Sequence, residues 1–208
     1  MPTPAPHRFL ALGDSYTIGD GVAERDRWPV QLAAALRQRD ISIEVPEILA
    51  QTGWTTDELD HAMRQHPFHP PYALVTLLIG VNNQYRARDL ANYRKEFGAL
   101  LARAIDLAGG RPQHVIAISI PDWGVTRFGR ESGRDPALIA QEIDLYNATN
   151  AQLSQLHHVH YVDVSALSRT GGDAADMLVD DGLHPSAAMY RHWTAAILAA
   201  AQRALSSH

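Results

Sequence analysis

Along the chain, short apolar runs alternate with longer stretches that are apolar on one face, the pattern of a parallel sheet covered by helices. The short runs predict strands near Arg8 to Leu12, Ile43 to Leu49, Ala73 to Ile79, His114 to Ile120 and Val159 to Val162. The amphipathic stretches predict helices near Trp28 to Arg39, Thr56 to Gln65, Leu90 to Leu107, Pro136 to Leu156 and Ser186 to Ala204. Several helix starts carry cap signals: Thr56 before Asp57 and Glu58, Asp135 before Pro136, and Ser186 after Pro185. Five strands and five helices make an α/β protein, a three-layer α/β/α sandwich. No repeat, low-complexity tract or linker divides residues 1–208, which read as one domain.

Composition narrows what such a domain can do. At 208 residues and 46% hydrophobic, the chain supports one well-packed core. Its net charge of −5, without blocks of like charge, disfavours a nucleic-acid partner, since neutralising phosphates needs clustered cations. The absence of cysteine removes disulfides, thiolate metal sites and Cys nucleophiles. The opening MPTPAPHRFLALGDS has no cationic segment followed by a long apolar one, and no run approaches the roughly 18 residues of a membrane span. The expectation is a soluble cytoplasmic protein; a chain whose export signal had been removed would read the same.

In a parallel sheet, ligands bind beyond the carboxyl ends of the strands. Four loops there are conspicuous: GDSYTIGDG at 13–21, Gln51-Thr52-Gly53-Trp54, Gly80-Val81-Asn82-Asn83-Gln84-Tyr85-Arg86, and Pro121-Asp122-Trp123-Gly124-Val125. A fifth piece, Asp180-Asp181-Gly182-Leu183-His184-Pro185-Ser186, precedes the last helix. A serine attacks an ester only if a base takes its proton and a third group fixes that base in one tautomer. Ser15 is the candidate nucleophile and His184 the candidate base. Either Asp181, three residues earlier, or Asp180, four earlier, falls within one helical turn of His184. The backbone N–H groups of Ser15 and Gly53 and the side-chain amide of Asn82 are donors of the type an oxyanion hole needs.

Taken together, GDS near the N-terminus, a lone glycine after the second strand, Gly-x-Asn after the third and Asp-x-x-His-Pro near the C-terminus resemble the GDSL or SGNH hydrolase family, in the family's order and over nearly the whole chain. The resemblance implies Ser15, Gly53, Asn82 and His184 as the four namesake residues, with Asp181 rather than Asp180 completing the triad. It implies a flavodoxin-like five-stranded sheet of order 2-1-3-4-5. It also implies an esterase acting on esters or thioesters with short to medium acyl groups, with no cofactor and no metal. The chain departs from the family pattern at Tyr16, where leucine is usual, and at Asn83, where aspartate is usual. If Asn83 merely braces its loop, the nearly isosteric Asn83→Asp change is expected to be tolerated.

Other features carry blander readings. Neither a P-loop nor a dinucleotide fingerprint is present, so the glycines of 13–21 do not signal a phosphate cradle. His157, His158 and His160 lack ligand spacing and read as surface or edge residues, and the sequon at Asn147 falls inside a predicted helix. Trp54, Tyr85, Trp123 and Phe128 are expected to line a substrate pocket, and the loop from Pro121 to Arg134 to form a substrate-shaping lid. The alternative to an esterase is a flavodoxin-like binding module that keeps these loops without activity.

Overall fold

The computed structural model describes residues 5–172, 174 and 176–206. Five parallel strands, β1 (Phe9–Gly13), β2 (Glu47–Ala50), β3 (Leu74–Leu78), β4 (Val115–Ile118) and β5 (His160–Val162), form one sheet in the order β2-β1-β3-β4-β5. Every residue of β1, β3 and β4 is buried, whereas β2 and β5 at the edges are only partly covered. The all-apolar runs therefore occupy the interior, where both faces of a strand meet helices.

The long helices are α2 (Trp28–Arg37), α3 (Thr56–Gln65), α5 (Leu90–Leu107), α7 (Pro136–Leu156) and α9 (Ala187–Ser206). The chain steps one way from β1 to β2 and the other way from β3 through β5. Right-handed crossovers consequently put α2 on the face opposite α3, α5 and α7. In keeping with this, α2 packs on α9 while α5 packs on α3 and α7. The reversal of direction lies between β1 and β3, and residues leaving these two strands enter the crevice where such sheets bind ligands.

Several boundaries differ from the sequence expectation. The second strand starts at Glu47 because Pro46 has no N–H for the ladder, and Ile43 makes only an isolated bridge to His7. Thr55, not Thr56, is the N-cap of α3: its backbone N–H donates to Glu58 Oε2 at 2.8 Å. The other two caps are as read, with Asp135 Oδ1 accepting from Ala137 N at 2.9 Å and Ser186 Oγ from Ala188 N at 3.1 Å. Four short helices, α1 (Ser15–Ile18), α4 (Val81–Tyr85), α6 (Arg127–Glu131) and α8 (Ser165–Gly171), are too short for a 3.6-residue period to show.

Candidate active site

The turn after β1 is built for close approach. A Cβ on Gly13 would lie 2.5 Å from the Leu78 carbonyl oxygen, so only glycine lets β1 hand the chain to α1 beside β3. Asp14 caps α1, its Oδ1 accepting from Tyr16 N at 3.0 Å. Asp14 is wholly buried, and chiefly that burial pushes its carboxyl up to about 8. Ser15 is thereby fixed at the first position of α1. Tyr16, the departure from the family's leucine, is buried between the rings of His184 and Trp193, with centroids 5.4 and 6.0 Å away.

Ser15 Oγ lies 2.9 Å from His184 Nε2, and His184 Nδ1 lies 2.7 Å from Asp181 Oδ2. The segment carrying His184 is a turn rather than the helical turn expected: Asp181 Oδ1 accepts from Leu183 N and His184 N at 2.7 and 2.9 Å. One carboxylate oxygen thus folds the turn while the other holds the imidazole. Burial raises the Asp181 carboxyl, but the bonds from the His184 ring and from the two backbone N–H groups outweigh it and hold the group below its ordinary value. Asp180 is exposed, and its carbonyl accepts from Arg127 Nη2 at 2.5 Å. Of the two aspartates, it is Asp181 that meets His184.

Gly53 and Asn82 line the same cavity as Ser15 and His184. Gly53 has φ +85°, a conformation that favours glycine. Asn82 Nδ2 donates one hydrogen to the Trp54 carbonyl at 3.0 Å, leaving the second amide hydrogen for another acceptor. Asn83 is 1% exposed and braces its loop through both atoms of its amide. Its Oδ1 accepts from Thr56 N at 3.1 Å, and its Nδ2 donates to Thr56 Oγ1 at 2.6 Å, while that hydroxyl donates in turn to Glu96 Oε2. Because Thr56 N–H can only donate, the amide orientation is fixed. An ionised aspartate would lose the donor, which argues against the expected tolerance of Asn83→Asp.

The cavity, about 200 Å³, has walls of Tyr16, Val81, Tyr85, Trp123, Phe128 and Leu183. Tyr85, Trp123 and Phe128 form a mutual cluster with centroids 5.4 to 6.4 Å apart. Trp123 is also core, and its Nε1 donates to Gln84 Oε1 at 2.7 Å. Trp54 does not line this cavity; it borders a separate groove with Asp57, Glu58 and His61, and its carbonyl accepts from Asn82. The stretch 121–134 is not an open loop. Asp122 Oδ1 accepts from Gly124 N, Asp122 Oδ2 from Arg169 Nε, and Thr126 Oγ1 from Gly129 N, which build a 3₁₀ turn and then α6. It forms a braced wall of the cavity. Asn147 is buried, bonded through both amide atoms to the Ile120 backbone at 2.9 Å, and is closed to glycosylation.

Sequence reasoning missed Asp20 beside His184, Thr52 bonded to Asp20, and Gln84 bonded to Trp123. The one signal for Asp20 was the second carboxylate in the nine residues 13–21.

A family model described as the GDSL-like lipase/acylhydrolase family matches residues 11–192. The chain belongs to that family. No curated protein matches it in sequence. Solved structures similar to it include the psychrotrophic esterase EstA from Pseudoalteromonas sp. inhibited by monoethylphosphonate, with 15% identity, TM-score 0.69, and 97% of this chain and 100% of that one covered. Phospholipase A1 from Streptomyces albidoflavus NA297 is similar at 20% identity and TM-score 0.67, over 95% of this chain and 99% of that one. A variant of Axe2, an acetyl-xylooligosaccharide esterase from Geobacillus Stearmophilus, has 18% identity and TM-score 0.70, over 100% of this chain and 98% of that one. At these identities the likenesses speak for the fold. Among the described residues no helix of this GDSL-family protein is long and apolar enough to cross a membrane.

Proposed function

We propose that this protein is a metal-independent serine esterase that cleaves esters or thioesters of short to medium acyl groups through an acyl-enzyme. The observation that carries the reading is the continuous line from Asp181 through His184 to Ser15, ending at an apolar cavity. Ser15 Oγ attacks the substrate carbonyl carbon as its proton passes to His184 Nε2, and the carbonyl electron pair moves onto oxygen. The backbone N–H groups of Ser15 and Gly53 and the Asn82 amide stabilise that oxyanion. Its collapse expels the alcohol or thiol, which takes the proton from His184. Water, deprotonated by the same imidazole, then releases the acid and restores Ser15. Asp181 keeps Nδ1 protonated and offsets the positive charge on the ring.

The size of the cavity bears on the acyl group. At about 200 Å³ it is smaller than the roughly 300–1,000 Å³ of sites that enclose drug-sized ligands, and its wall is aromatic. One short chain or one ring fits such a space. The test is a p-nitrophenyl ester series of rising acyl length with an acyl-CoA and an acetylated sugar alongside, together with mass spectrometry after treatment with an organophosphonate. Turnover concentrated on the short esters and one adduct on Ser15 are expected. No turnover on any ester, acyl-CoA or acetylated sugar, with no adduct, would leave a binding module as the better reading.

A further inference from the structure

We infer that Asp20 is a second carboxylate of this site: a positioning residue that favours the charged form of His184 from its Nε2 side and ties the Gly53 loop to the Ser15 turn. The inference rests on the serine-esterase reading above. Asp20 lies two residues beyond α1, and its backbone N–H donates to the Ser15 carbonyl at 3.2 Å. Its Oδ2 accepts from Thr52 Oγ1 at 2.5 Å and lies 4.0 Å from His184 Nε2. One oxygen atom therefore faces both the base and the residue preceding Gly53.

At 4.0 Å, Asp20 does not compete with Ser15, at 2.9 Å, for a hydrogen bond with Nε2. It acts through charge. While the imidazole is neutral, the Nε2 lone pair faces Ser15 and gains nothing from a carboxylate nearby. Once the proton of Ser15 arrives there, the ring is cationic, with Asp181 on its Nδ1 side and Asp20 on its Nε2 side. The interaction grows along the reaction coordinate, which is the condition for it to raise kcat. The other groups facing the ring do not duplicate it. Tyr16 presents a neutral ring, Asp14 is buried and bonded to Tyr16 N, and the Arg127 guanidinium is bonded to the Asp180 carbonyl. The bond from Thr52 gives Asp20 a second consequence. It fastens the loop that carries Gly53 to the turn that carries Ser15, fixing two oxyanion donors relative to each other.

Two variants separate these consequences. Asp20→Asn keeps an oxygen to accept from Thr52 but removes the charge; Thr52→Val removes the hydroxyl and leaves the charge. The pH dependence of kcat/KM on a p-nitrophenyl ester and the NMR titration of the His184 ring are measured for both. In Asp20→Asn, the acid limb of the profile and the ring titration should both move to lower pH, with kcat lowered roughly three- to ten-fold. Asp20→Glu should restore part of both. Thr52→Val should lower kcat at nearly constant KM without moving the acid limb. An unmoved ring titration in Asp20→Asn, or an equal shift in Thr52→Val, would overturn the assignment. A wild-type protein without turnover or phosphonate adduct would instead overturn the esterase reading, and the ring titration would still report on Asp20.

Discussion

Replacing Asn83 by aspartate, the residue usual in related sequences, should destabilise this protein. The reason is the direction of its hydrogen bonds. Asn83 Nδ2 donates to Thr56 Oγ1, whose own proton is committed to Glu96; Glu96 Oε1 also accepts from Asn92 Nδ2 at 2.6 Å. An aspartate oxygen in the place of Nδ2 would leave one hydroxyl proton between two carboxylates. The missing donor costs about 1–3 kcal/mol where the partner is buried. An aspartate at a 1%-exposed position can instead hold its proton and donate that O–H to Thr56 Oγ1, at a cost of about 1.4 kcal/mol for each pH unit its folded value is raised. The two are alternatives, and the cheaper one limits the loss near pH 7.5 to about 1–3 kcal/mol.

That origin gives the loss a signature in pH. A carboxyl whose folded value is raised costs nothing below its unfolded value near pH 4, and its cost grows as pH climbs above it. Urea unfolding of wild type and Asn83→Asp at pH 4.5, 6 and 7.5 should show a deficit that widens with pH. Adding Glu96→Gln should narrow it, because an amide at position 96 can leave the Thr56 proton to the new carboxylate and offer a donor of its own. Equal stability at pH 7.5, or a deficit independent of pH and untouched by Glu96→Gln, would refute the polarity assigned to this network.

Two predictions concern turnover. Asp181→Asn should lower kcat by about 10³ to 10⁴, whereas Asp180→Asn should stay within a few-fold of wild type, as read from p-nitrophenyl ester kinetics; comparable losses would show that Asp181 does not orient His184. If the Asn82 amide serves the tetrahedral oxygen, as proposed, Asn82→Ala should lower kcat by about 10² to 10³ with KM little changed. A rise in KM at constant kcat would assign Asn82 to substrate binding instead.

The features legible in the sequence are those written locally. The all-apolar runs of β1 and β3 announce interior strands, and the three-residue spacing of Asp181 and His184 announces a contact that the turn delivers at 2.7 Å. Contacts made across the fold were legible only through the family's motif order: Ser15 and His184 meet over 169 positions. The role of Asn83 was hidden because its partner Thr56 is 27 residues away, and an isolated amide does not reveal which of its two atoms a neighbour will use. Trp54 was expected in the pocket from its place beside Gly53, whereas it borders a separate groove and meets Asn82 through its carbonyl. Pro121, Gly124, Gly129 and Gly133 made 121–134 look loose, although Asp122 and Thr126 supply the hydrogen bonds that fold it.

Burial of a polar group is the property least visible in a sequence, and Asp14 shows its consequence. GDS places a carboxyl beside the nucleophile candidate, yet in the fold that carboxyl is fully buried, its Oδ2 has no partner among the described residues, and it is pushed up to about 8. At neutral pH it is mostly protonated, so no negative charge sits under the turn where an oxyanion would form. The folded chain keeps this proton up to about pH 8 while the unfolded chain releases it near 3.8. Between those values the folded state binds more protons, so the stability Asp14 supplies is complete below about pH 4 and is lost as pH rises through about 8, with a slope of at most about 1.4 kcal/mol per unit. Asp14→Asn keeps an oxygen for Tyr16 N and cannot ionise. Denaturant midpoints at pH 5, 6.5 and 8 should show the variant gaining on wild type at each step upward, with turnover largely kept. Parallel midpoints, or wild type gaining with pH, would mean that Asp14 is ionised in the fold and that the turn tolerates a charge next to Ser15.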